Sequence, residues 1–254
     1  MPAGEMKESS NARGARGDDV LCEEPVDALP LEKGRMPDAV IFDLDGTLVD
    51  SVDDVAAVLN TLLAAERISP FPRETVAGFM GEGIRATVGK ALAARGVEAG
   101  AERLDRLHAR FVDLYCLHPV SATRLFPYAG SLLAGLAARG VKIGICTNKA
   151  EAPARLILEQ VGIARYVEAV IASDSGYGMK PAPTPLLACA RQLGARRERV
   201  VYVGDHPIDV ETARAAGIAM VGVSYGYAVG DLEAEQVVDC LSGLPTILAR
   251  LASA

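Results

Sequence analysis

Residues 36–51 read MPDAVIFDLDGTLVDS, and the fold turns on how they are read. The run Ala39-Val40-Ile41-Phe42 is apolar and β-rich and is followed at once by Asp43, Asp45 and Gly46. A short apolar run bounded by turn residues is the pattern of a strand buried on both faces. Further runs of this kind lie at Val141 to Cys146, Glu168 to Ala172, Val200 to Val203 and Ala219 to Val223. Helix-period stretches sit between them, at Ser131 to Arg139, Glu151 to Val161, Thr184 to Leu193 and Ile208 to Ala216, and each is followed by a glycine in the position that ends a helix. Alternation of this kind predicts an α/β fold with a Rossmann-like parallel sheet core.

Two segments depart from that rhythm. Residues 1–36 mix Gly, Ser, Asn and charges of both signs and have no apolar stretch resembling a signal-peptide core, so they are expected to be a disordered tail. Met36 is then the expected natural start, and an intact mass of the natively expressed protein that includes the first 35 residues would reject that. Between the first two strands, residues 51–128 show no convincing strand but carry helical stretches at Ser51 to Glu66, Gly83 to Ala94 and Glu102 to Leu117. A crossover needs only about a dozen residues. The excess predicts an inserted helical domain at 51–128, with 37–50 and 129–254 forming the core.

Composition excludes several classes. The chain has 254 residues, of which 50% are apolar and 23% charged, as in soluble globular proteins. With 26 basic against 33 acidic residues, a net charge of −7 and no Lys/Arg-rich block, binding to nucleic-acid backbone is disfavoured. No uncharged apolar stretch is long enough to span a bilayer, so no membrane partner is expected. Five scattered cysteines without a CxxC pair, and only three histidines, support neither a disulfide scaffold nor a zinc site and suit a reducing cytoplasm.

The residues with chemical potential fall just after strand ends, where open α/β sheets place their ligands. They are Asp43 and Asp45, then Thr147 after the second strand, Lys180 in GMKPAPTP, and Asp205 and Asp209 in GDHPID. Taken together these four motifs resemble the haloacid dehalogenase-like hydrolase superfamily over residues 37–254. The resemblance implies that Asp43 is a nucleophile forming an aspartyl-phosphate. It also implies that Asp43, Asp205 and the backbone carbonyl of Asp45 hold Mg²⁺, with Asp209 supporting the metal from further out or through water. Asp45 becomes the general acid and base, which points to phosphate-ester chemistry because a halide leaving group needs no proton. Thr147 would bind a phosphoryl oxygen with Asn148 in support, and Lys180 would neutralise nucleophile and phosphate. Such neutralisation is needed, since two like unit charges at about 3.5 Å repel by roughly 5 kcal/mol at an effective dielectric near 20.

By the same resemblance the insert is a helical cap that closes over the site and favours small substrates. Its glycine-dense segment, residues 78–85, reads GFMGEGIR, and Arg85 and Lys90 either meet an anionic group of the substrate or are ordinary helix charges. His206 either touches the leaving group or shapes its loop. His108 is expected in solvent and His118 in a loop, while Ser51 is expected to cap the first insert helix with Asp53 and Asp54 facing its dipole.

A closer resemblance, to bacterial phosphoglycolate phosphatases, rests on FPYAG at 126–130, ICTNK at 145–149, YVGDHPIDVETARAAG at 202–217 and GVSYGY at 222–227. Ala129 and the pair His206-Pro207 depart from the family's usual residues, and neither change removes a reacting group. The expectation is a Mg²⁺-dependent phosphatase acting on a small phosphorylated metabolite, 2-phosphoglycolate first, as a monomer or homodimer. Rivals are phosphatases for a sugar phosphate, a nucleotide or pyrophosphate, a phosphoglucomutase, and a silent phospho-ligand-binding or partner-binding member.

Overall fold

The computed structural model describes residues 35–117, 121–228 and 232–253. Residues 1–34 of the expected tail, and His118, lie outside the described residues. Along the chain come β1 (Ala39–Phe42), β2 (Val49–Asp50), α1 (Val52–Ala65), α2 (Arg73–Ala77), α3 (Ile84–Ala94), α4 (Ala101–Leu117) and β3 (Arg124–Leu125). They are followed by α5 (Ala129–Ala138), β4 (Lys142–Cys146), α6 (Glu151–Gln160), β5 (Ala169–Ile171), α7 (Thr184–Gln192) and β6 (Val200–Gly204). The chain closes with α8 (Pro207–Ala216), β7 (Ala219–Val223), β8 (Val237–Val238) and α9 (Leu244–Leu251).

The main sheet is parallel, in the order β5-β4-β1-β6-β7-β8. Successive strand residues point to opposite faces. Val40 and Phe42 therefore enter the larger core with Leu132, Ile157 and Leu248, while Ala39 and Ile41 enter a second core with Leu186, Cys189 and Ala213 under α7 and α8. Burial on both faces leaves no room for polar alternation, which explains the continuous apolar runs of the sequence. Phe42 is fully buried, and truncating such a side chain to Ala costs about 3–5 kcal/mol. α8 stops where Gly217 adopts φ 64°, a left-handed turn that costs glycine little.

β1 is the point at which the strand order reverses, with β4 on one side and β6 on the other. Register pairs Phe42 with both Ile145 and Val203, so the carboxyl ends of all three strands finish level. Side chains placed one or two residues beyond each strand then share one crevice.

α1 to α4 form the insert, and their buried side chains, Leu59, Leu92, Phe111 and Tyr115 among them, are continuous with the larger core. The chain leaves and re-enters through an antiparallel ribbon that pairs Val49 with Leu125 and Asp50 with Arg124. The expectation of no strand in this region thus fails at Arg124–Leu125, because two residues are too few to show a period. The expected helix N-terminus also differs. Ser51 makes no side-chain cap, and its hydroxyl donates instead to the carboxylate of Asp45. Asp53 and Asp54 do lie in the first turn of α1, and Asp54, buried, also accepts from the Thr123 amide at 2.7 Å and the Thr123 hydroxyl at 2.6 Å, which fastens the end of the insert.

Candidate active site

The crevice above β1, β4 and β6 collects most of the residues singled out from the sequence. Asp43 follows β1, and its amide donates to Val203 O at 2.8 Å. Asp205 follows β6, and Asp209 lies in the first turn of α8. Each of these three offers a carboxylate oxygen, all within 4.8 Å of one another, and all three residues are buried. Lys180 reaches them from the loop before α7, with Nζ 3.0 Å from Asp43 Oδ1 and 2.6 Å from Asp209 Oδ1.

The electrostatics follow from that crowding. Burial first, and then the neighbouring Asp209 and Asp205, push the Asp43 carboxyl up to about 7 against the pull of Lys180. Burial and Asp209 raise Asp205 to about 6, although Tyr227 N–H and the Thr47 hydroxyl favour its ionised form. Burial works against the Lys180 ammonium, but Asp209 and Asp43 outweigh it and hold the group charged. One cation against three buried carboxylates leaves negative charge uncompensated, and Asp43 Oδ1 receives no hydrogen bond of good geometry despite the nearby lysine. An all-oxygen donor set with an orphaned, buried oxygen fits a hard divalent cation.

Backbone approach sharpens the cluster. At Gly46, with φ 87°, and at Gly226, an added Cβ would fall 2.3 and 2.2 Å from the Asp205 side chain. Asp205 also accepts from the Thr47 hydroxyl at 3.0 Å and from Tyr227 N–H at 2.8 Å. Tyr202, unremarked in the sequence, accepts from Lys180 Nζ at 3.0 Å and donates to Asp209 Oδ1 at 2.7 Å. Its position inside a buried strand was a usable signal, because an interior tyrosine hydroxyl must find a partner. Cys146 cannot compete as a nucleophile, since burial pushes its thiol up to about 12.

Asp45 lies on the other side of the crevice. Its carboxylate is outside the three-carboxylate group and faces Lys149, whose Nζ is 3.1 Å from both of its oxygens. Lys149 went unassigned in the sequence although it directly follows Thr147-Asn148. Thr147 is buried, and its hydroxyl accepts from Lys149 N–H at 3.2 Å. Asn148 holds the Lys180 loop rather than Thr147, accepting from Lys180 N–H at 2.9 Å and donating to Lys180 O at 3.1 Å.

A small cleft, partly open to solvent, separates this floor from the insert. Asp43, Asp45, Thr147, Asn148 and Lys149 line it from below, and Met80, Gly81, Gly83, Ile84 and Thr87 from above. The structure does not bring Arg85 into it. That guanidinium pairs with Asp105 at 2.6 Å on the outer surface, which corrects its expected place in substrate binding. Lys90 is likewise paired, with Glu82 at 2.8 Å. His206 shapes its loop, with Nδ1 accepting from Ile208 N–H at 3.2 Å and the ring lying against Gly81.

Fold, motif order and crevice agree with the sequence family that matches residues 40–223, and the chain belongs to the haloacid dehalogenase-like hydrolases. Within that family it is similar to the phosphoglycolate phosphatase of Rhodospirillum rubrum, with 42% identity covering 82% of this chain and 90% of the relative. It is also similar to that of Cereibacter sphaeroides, with 39% identity over 84% of this chain and 98% of the relative. The crystal structure of a predicted phosphoglycolate phosphatase from Haemophilus somnus superposes with a TM-score of 0.75 at 26% identity, covering 83% of this chain and 97% of that one.

Proposed function

We propose that the chain is a Mg²⁺-dependent phosphatase that hydrolyses 2-phosphoglycolate to glycolate and phosphate, with residues 51–128 acting as a cap over a core of 37–50 and 129–254. The observation that carries this is the meeting of Asp43, Asp205, Asp209 and Lys180 at one end of β1 and β6, beneath a small cavity roofed by the insert. Asp43 attacks phosphorus and the ester P–O bond breaks, with Asp45 giving a proton to the departing alkoxide. Asp45 then takes a proton from water, which attacks phosphorus and displaces the Asp43 carboxylate. Thr147 and Lys180 hold phosphoryl oxygens. Asp43, Asp205 and the Asp45 carbonyl, with Asp209 behind them, would hold Mg²⁺, which would supply positive charge to the phosphoryl group. The free thiols of Cys116, Cys146 and Cys189 accord with a cytoplasmic setting.

The test is Mg²⁺-dependent phosphate release from 2-phosphoglycolate, sugar phosphates, nucleoside monophosphates and pyrophosphate. The expected result is a kcat/KM for 2-phosphoglycolate at least about tenfold above any other substrate. Equal rates across the panel would defeat the substrate assignment, and absence of phosphate release would defeat the phosphatase reading.

A further inference from the structure

We propose that Lys149 is the residue that recognises the carboxylate of the substrate and so makes the site selective for phosphorylated small acids. This deepens the reading above and rests on it. Among the described residues lining the cavity Lys149 is the one cation; Lys180 is not part of that lining, and its ammonium is taken up by Asp43, Asp209 and the phosphoryl group. Arg85 pairs with Asp105 and Lys90 with Glu82, and neither lines the cavity.

The position of Lys149 matches the geometry of the substrate. The leaving oxygen must lie within hydrogen-bond reach of Asp45 to receive its proton. In 2-phosphoglycolate a single methylene separates that oxygen from the carboxylate, so the carboxylate lies beside whatever adjoins Asp45. Lys149 Nζ is 3.1 Å from both Asp45 oxygens, and its side chain is only 3% exposed. On its far side the ammonium packs over the ring of Tyr115 from α4, 4.6 Å from the centroid. A buried cation fixed on the floor by one neighbour and on the roof by another is preorganised for an anion that bridges the two. A neutral group in the same place leaves the ammonium paired with Asp45 alone and gains nothing from it.

The experiment compares 2-phosphoglycolate with its neutral isostere 2-phosphoglycolamide in the wild type, in Lys149→Met and in Lys149→Gln, each checked for folding by thermal melt. The wild type is expected to prefer the acid by about 10²-fold in kcat/KM, mostly through KM, the scale of one charged hydrogen-bonding contact. Both variants are expected to reduce that ratio to within about threefold of unity, and either one, if folded, decides the question. Retention of the acid preference in a folded variant overturns the role of Lys149 and leaves the phosphatase reading intact. A wild type that handles acid and amide alike overturns the carboxylic-acid substrate itself.

Discussion

The floor and the roof of the cavity are built on opposite principles. Beneath it Asp43, Thr147, Lys180, Asp205 and Asp209 are all buried, ionisable or polar, and tied to one another by short contacts. Above it the insert presents Met80, Ile84 and glycine backbone, while Arg85 and Lys90 stay out of the lining in partly exposed ion pairs. The floor should tolerate substitution poorly, because its three buried carboxylates share the single ammonium of Lys180. The roof has contact area and exclusion of water to offer, and exposed ion pairs of the kind it carries are worth about 1 kcal/mol or less. Chemistry should therefore fail with changes below, and only tightness of binding with changes above.

The sharpest break comes at the nucleophile. Asp43→Asn keeps the shape of the floor and should lower kcat by about 10⁴ or more, measured as steady-state phosphate release. Wild-type-like turnover would take Asp43 out of the attacking role. Lys180→Met should cost at least about 10² in kcat and also lower the melting temperature, because it leaves Asp209 and Asp43 without their shared cation.

Metal and pH probe the same crowding by calorimetry. Asp43 and Asp205 have folded values near 7 and 6, above their ordinary values. Their contribution to stability is therefore present below about pH 4 and is lost as pH rises through 6 and 7. Lys180 stays charged throughout that range and does not alter the sign. Metal-free protein should lose several degrees between pH 5 and pH 8 on account of these two groups, at about 2–4 °C per kcal/mol. Added Mg²⁺ should raise the melting temperature more at pH 8 than at pH 5, and a larger shift at pH 5 would contradict the assignment. The smallest effect belongs to the roof. Arg85→Ala should change kcat/KM for 2-phosphoglycolate by less than about twofold, and a tenfold rise in KM would return Arg85 to the site.

The sheet was legible because strands buried on both faces must be apolar throughout, and the side chains of the floor because they follow strand ends directly. Asp43, Thr147 and Asp205 needed only the register of β1, β4 and β6 to meet. What escaped depended on partners remote in sequence. Arg85 looked available until Asp105, on the next helix, took it. Ser51 had the spacing of a helix cap, but its hydroxyl is turned to donate to the Asp45 carboxylate. Lys149 and Tyr202 gave no periodic signal, since their importance lies in where neighbouring strand ends set them down. β8 is too short for any pattern, like the ribbon at β2 and β3.

That ribbon has a consequence of its own. Val49 and Leu125 sit side by side, so the span between them closes on itself whatever its contents. Loop closure grows only slowly in cost with length. A grafted module of different size, spliced at those two positions, would leave the strands beneath in place, so the roof could be exchanged while bond breaking and the Lys149 contact stay with the core.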